Sequence, residues 1–197
     1  MFRLSRLFGG PVAAAARPLN TADTAGAVVP APLSPPRPFD PVRIRQPRLQ
    51  EFHGLWTALR GDRPAPARAD FGPEPFRAML PHLFLVEVEA GAPTRFTFRL
   101  VGTELERILG HGLAQQAVEP VPPDRWAGTL YGAYANCAVT LRPVYDYLRT
   151  RLPDGAVGEF ERLTLPLSAD GATATHLIGC AMFTGGFGLR DAWGRAG

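Results

Sequence analysis

Two runs of strict alternation, split by a Gly/Pro turn and followed at once by a change of period, constrain this chain most. In 83–89, LFLVEVE, Phe84, Val86 and Val88 fall on one face and Glu87 and Glu89 on the other. In 95–101, RFTFRLV, Phe96, Phe98 and Leu100 share a face. Period 2 on both sides of a short break holding Gly91 and Pro93 predicts a β-hairpin. The second run ends at Gly102-Thr103, and Thr103 with Glu106 makes an S/T-x-x-E capping box. Leu105, Ile108 and Leu109 follow at helical spacing, and Gly110 stops the helix. No catalytic chemistry is visible in this stretch; a two-stranded platform feeding a helix suits the frame of a small binding module.

The rest of the chain is arranged around that platform. Residues 1–47 hold nine of the 21 prolines and long Ala/Pro runs, so they bury too little apolar surface to offset their ordering entropy and read as a disordered tail. In 48–60, Leu49, Phe52, Trp56 and Leu59 recur at spacings of 3, 4 and 3, which predicts one apolar face of a helix. Pro73 is placed to open a second short helix. The stretch 111–123 is too rich in turn residues for a regular element. Asp124 is placed to cap a longer helix to about Thr140, with Trp126, Leu130, Tyr134, Cys137 and Leu141 on one face and Gly128 and Gly132 on another. Three strands are expected after it, over 143–151, 159–168 and 175–183, with Ala169-Asp170-Gly171 as a hairpin turn. Gly179, inside an almost wholly apolar strand, implies close backbone approach. Residues 184–197 read as a flexible Gly-rich tail. Over 48–183 the expected architecture is α+β: a five-stranded antiparallel sheet with one covered face, helices inserted after the second strand, and an N-terminal amphipathic helix.

Charge excludes one class of partner. All 21 basic residues are arginine, an Arg/Ala/Pro/Gly bias that fits GC-rich coding. Residues 1–47 carry six arginines against two acids, whereas 48–197 carry 15 against 16. The basic pI therefore belongs to the tail, and the folded part has no cationic stripe to neutralise phosphates, so nucleic acid is not an expected partner. No apolar run approaches the length of a membrane span. Cys137 and Cys180 sit among apolar neighbours without metal-ligand spacing and read as buried thiols of a cytoplasmic protein.

The order of helix, helix, two strands, helical middle and three strands resembles a PAS domain. The residues that carry the likeness are the leading helix with Trp56, LRGDRPAPARADFGP, Leu80-Pro81 with LFLVEV, RFTFRLVGTEL, LERILG, ERLTLPLS and LIGCAMF. Over about residues 50–183 they resemble the short, mostly stand-alone bacterial PAS-type proteins. One departure is Gln115, where such proteins tend to place glycine. The resemblance implies a sensory or protein-interaction module without catalysis, with any ligand held between the inner sheet face and the inserted helices. Phe98, Trp126, Tyr131, Tyr134, Tyr145 and His176 are the candidates to line that place, with Arg99 as an anion clamp; the same aromatic residues serve equally as plain core.

No cofactor follows from the sequence. Asn136-Cys137 resembles the flavin-reactive pair of light-sensing relatives, but the Arg-Phe-Leu that continues it there is absent. Haem needs an axial ligand, and His53, His82, His111 and His176 have no diagnostic context. Metal-ligand spacing, a nucleophile elbow and a phosphate loop are absent as well. Asp146 and Glu161, a conceivable acid/base pair, read as residues of solvated strand faces. The face with Leu49, Phe52, Trp56 and Leu59 is the expected partner surface, through which a homodimer or a signalling protein would bind. The competing function is a cone-shaped α+β pocket enzyme using His176 and Asp146; that fold would lead with helices and close with a long sheet, unlike the order here.

Overall fold

The computed structural model describes residues 39–72, 74–109, 112–120, 129–151 and 157–184. The elements are α1 (Pro47–Arg60), a 3-10 helix (Glu74–His82), β1 (Leu83–Glu89), β2 (Arg95–Val101), α2 (Thr103–Leu109), β3 (Ala117–Val118), α3 (Leu130–Thr140), β4 (Val144–Arg151), β5 (Val157–Leu167) and β6 (His176–Thr184). The strands form one antiparallel sheet of six, in the order β3-β2-β1-β6-β5-β4. Five strands were expected. The sixth is β3, two residues inside the turn-rich stretch, where Val118 pairs with Phe96 and Ala117 with Thr97.

Both faces of the sheet are covered, not one. On the α3 side, Phe84, Val86, Phe96, Phe98, Phe160, Leu177 and Ala181 pack against Leu105 of α2 and against Leu130, Tyr131, Tyr134 and Cys137 of α3. On the α1 side, Leu163, Leu165, Leu167, Ile178 and Cys180 pack against Leu49, Phe52 and Trp56 of α1 and against Phe76 and Met79 of the 3-10 helix. The strand β6 lies between β1 and β5 and feeds both layers, as its unbroken apolar run implies.

The expected hairpin forms, with a change of phase in its second strand. The pairing steps from Leu85↔Leu100 to Val86↔Phe98, so Arg99 is an extra residue. The bulge flips the alternation: Phe96 and Phe98 are buried, Val101 packs on the same core, and Leu100 turns outward at 44% exposure. The helix after β2 starts at Thr103 itself, with the Gly102 carbonyl accepting from the Glu106 amide. Glycine is required at 102 because a Cβ there would lie 2.3–2.4 Å from the Pro81 and Leu80 carbonyl oxygens.

Three other boundaries differ from the sequence reading. The short helix after Pro73, itself outside the described residues, is 3-10, and α3 begins at Leu130. Its cap is Thr129, whose Oγ1 accepts from the Gly132 amide at 2.9 Å. Asp124, Trp126, Gly128 and Gly110 lie outside the described residues. The chain is already packed on the sheet before residue 48, since Ile44 is buried in the α1-side core. The rest of the tail, 1–38, and residues 185–197 lie outside the described residues.

Candidate functional site

Strand phase decides what each predicted residue can reach. On β5, Leu163, Leu165 and Leu167 take the α1 side, which sends Phe160, Arg162 and Thr164 to the α3 side. On β4, Tyr145 pairs with Leu163 and Asp146 with Arg162. Asp146 and Arg162 therefore meet beneath α3, within the apolar core. Arg162 is only 3% exposed, and its guanidinium donates through Nε at 2.9 Å, and also through Nη2, to Asp146 Oδ2. It also lies 5.6 Å from the centroid of the Tyr134 ring and 6.0 Å from that of Phe160. Burial pushes the Tyr134 phenol and the Cys137 thiol well above their usual ranges, so both stay protonated at neutral pH. The Cys137 thiol donates to the Thr164 carbonyl at 3.6 Å. Protonated and fully buried, it has the character of a core thiol.

Of the predicted lining set, the structure unites Phe98, Tyr131 and Tyr134. All three pack in the α3-side core, with Phe96 edge-on to Tyr131 and Phe84 beside both Phe98 and Tyr134. The Tyr131 hydroxyl donates to the Thr94 carbonyl at 2.9 Å. Trp126 lies outside the described residues. Tyr145, His176 and Arg99 belong to the opposite face. Arg99 is an exposed residue that pairs with Glu87 and donates to Gln115 Oε1 at 2.5 Å. Its guanidinium is thus engaged on the sheet surface, away from Tyr131 and Tyr134. His176 sits opposite Glu87 in the same polar strip, and burial lowers its pKa. Gln115, the departure from the family pattern, has φ of +68°, the left-handed region that glycine enters without steric cost. Its side chain accepts one of the Arg99 hydrogen bonds, beside the Glu87 pair.

Asp146 and Glu161 do not line solvated faces, and they do not face each other. Glu161 is 2% exposed on the α1 side. Its Oε2 accepts from the Arg45 amide at 3.2 Å, the Gln46 amide at 3.2 Å and the Tyr145 hydroxyl at 2.8 Å. Gln46 is the N-cap of α1 and makes no side-chain capping bond, so the sheet supplies the acceptor that the helix lacks. Arg45 then lies over the Tyr147 ring, 4.1 Å from its centroid.

The expected partner surface is built into the same layer. Leu49, Phe52 and Trp56 are buried and Leu59 partly buried, all against this chain's own sheet and 3-10 helix. Trp56 Nε1 donates to the Pro166 carbonyl at 3.0 Å. Within one chain these four side chains present no open partner surface, because one amphipathic face can cover only one sheet. A homodimer through that face would require α1 to leave its own sheet.

Sequence reasoning missed Arg162 and Thr164. The signal was present in ERLTLPL, where a charge and a hydroxyl alternate with three leucines, but only the β4–β5 register shows Arg162 meeting Asp146. Among the described residues no cluster of three or more His, Cys, Asp or Glu side chains is placed to hold a metal ion, and no helix is long and apolar enough to cross a membrane.

The comparisons agree with the architecture. No curated protein matched the chain. A family model described as a PAS domain matches residues 44–182, from the buried Ile44 into the last residues of β6, well over half of the sequence. The chain therefore belongs to the PAS domain family.

Proposed function

We propose that this PAS domain senses a small molecule held beneath α3 and passes the change to a protein partner. PAS domains are generally sensory and signalling modules and typically non-catalytic. The observation that carries the reading is the Arg162–Asp146 pair, two charges placed in an otherwise apolar, aromatic-walled core directly under a helix. A buried ion pair is poor support for stability as such, because desolvation offsets much of its attraction. A few convergent polar groups in an apolar setting are instead what orients a ligand. The three buried rings of Phe98, Tyr131 and Tyr134 supply the apolar wall.

The test is native mass spectrometry of protein purified from its own host, run on wild type and on an Arg162→Met/Asp146→Leu double variant that keeps the core neutral. A bound mass present in wild type and lost in the folded double variant is the expected result. Wild type that carries no small molecule, whether from its host or after incubation with a host metabolite extract, would sink the reading.

A further inference from the structure

Thr164 stands next to Arg162 on the same face of β5 and is fully buried. Its Oγ1 has no hydrogen-bond partner, although its carbonyl accepts from the Cys137 thiol. A buried hydroxyl without a partner is costly compared with the valine that would fill the same shape. Thr164 pairs with Val144 on one side and with Gly179 on the other. Gly179 has no side chain because the Phe84 ring lies over it: a Cβ there would meet Phe84 Cζ at 2.0 Å. The place beside Thr164 is thus already shaped for a six-membered ring.

The charges nearby are matched to each other. Arg162 directs both Nε and Nη2 to one Asp146 oxygen, so an ionised ligand would enter a low-dielectric site where, among the described residues, the nearest charges already engage each other.

We infer that Thr164 Oγ1 is the hydrogen-bonding anchor of the site beneath α3. Its ligand is a small uncharged molecule with an aromatic or similarly planar apolar body and one hydrogen-bonding group. The ligand ring packs among the rings of Phe84, Phe98 and Tyr134 and sets its polar substituent beside Thr164. This rests on the ligand-sensing reading of the same site.

The test uses three probes of similar size: p-cresol with one hydroxyl, toluene with none, and benzoate, which is ionised at neutral pH. Each is titrated into the full chain and into Thr164→Val, following backbone amide shifts of 134–137 and 163–165 by NMR. The expected result is p-cresol binding about fivefold weaker in Thr164→Val, as the loss of one hydrogen bond implies. Toluene should bind both proteins alike, and benzoate at least about tenfold more weakly than p-cresol. Thr164→Val should also unfold at a higher urea concentration than wild type, which a merely structural hydrogen-bonding role would reverse. Equal p-cresol affinity in the two proteins overturns the anchor and leaves the site standing. Benzoate binding as tightly as p-cresol overturns the uncharged class. If no probe moves those amides, the inference falls together with the site reading.

Discussion

Alanine at position 179 should be among the most damaging single-methyl additions this domain can receive. The new Cβ would sit 2.0 Å from Phe84 Cζ and 2.5 Å from Cε1 and Cε2. Carbon atoms in contact prefer about 3.5–4.0 Å, so the ring must withdraw by at least about 1.5 Å. It has nowhere open to go: Phe84 is 4% exposed, with the rings of Phe98 and Tyr134 centred 6.1 and 6.0 Å away. Overpacking typically costs about 1–3 kcal/mol, and a rigid ring under a central strand places this case at the top, about 3 kcal/mol. Against a whole-domain stability of about 5–15 kcal/mol, that is a large fraction. With a urea slope of about 1–3 kcal/mol/M, the midpoint should fall by about 1–3 M. Urea unfolding followed by circular dichroism measures it. The companion is Phe84→Leu, which removes the clashing ring; the double variant should recover at least about 1 kcal/mol relative to the sum of the singles. A midpoint loss below about 0.5 M, or strict additivity, would refute the steric account.

Three further outcomes follow from particular contacts. Gln115 holds φ of +68°, so Gln115→Gly should be about 1 kcal/mol more stable than Gln115→Ala, which keeps the strained Cβ, while both lose the Arg99 contact alike; equal urea midpoints would remove the strain argument. Glu161→Leu should cost about 2–4 kcal/mol by stranding the Arg45 and Gln46 amides and the Tyr145 hydroxyl. Hydrogen exchange at the start of α1 should quicken more than in α3, and uniform acceleration would show that the contact does not anchor α1 locally. Asp170 accepts from the Ala172 and Thr173 amides and from Ser168, which lowers its pKa to about 2. Because the folded value is depressed, its contribution is complete above the unfolded value near 4 and is lost as pH falls towards 2. The urea-midpoint gap between wild type and Asp170→Asn should therefore close across that window, and a gap independent of pH would contradict the linkage.

How much could be read from residues alone depended on whether the governing pattern was local. The hairpin, the apolar centre of β6 and the close approach at Gly179 were legible, because alternation and a glycine in a strand are short-range signals. Leu100 was misread because a bulge shifts phase by one residue, and nothing in RFTFRLV announces where the extra residue sits. The two-residue β3 is too short to show a period. The larger error concerned Asp146 and Glu161. Their strands looked half-solvated only while one face of the sheet was thought bare. Once α1 and α3 cover opposite faces, both carboxylates are enclosed and each needs a partner on its own side. The same split parted the predicted lining residues, leaving Phe98, Tyr131 and Tyr134 under α3 and Tyr145, His176 and Arg99 across the sheet.

The capping of α1 by β5 sets an order of assembly. Gln46 and Glu161 are 115 residues apart in the chain, and Trp56 and Pro166 are 110 apart. At about 5–20 residues per second of synthesis, β5 leaves the ribosome roughly 5–20 s after α1. A 14-residue helix is marginal in water by itself, so through that interval Leu49, Phe52 and Trp56 have no sheet to cover. The element made first must dock last, and the central β1–β6 pairing waits on the same late strands. A nascent chain stopped before β5 would carry a sticky, half-formed helix and an open strand edge, the condition in which chains of this length aggregate or are held by chaperones.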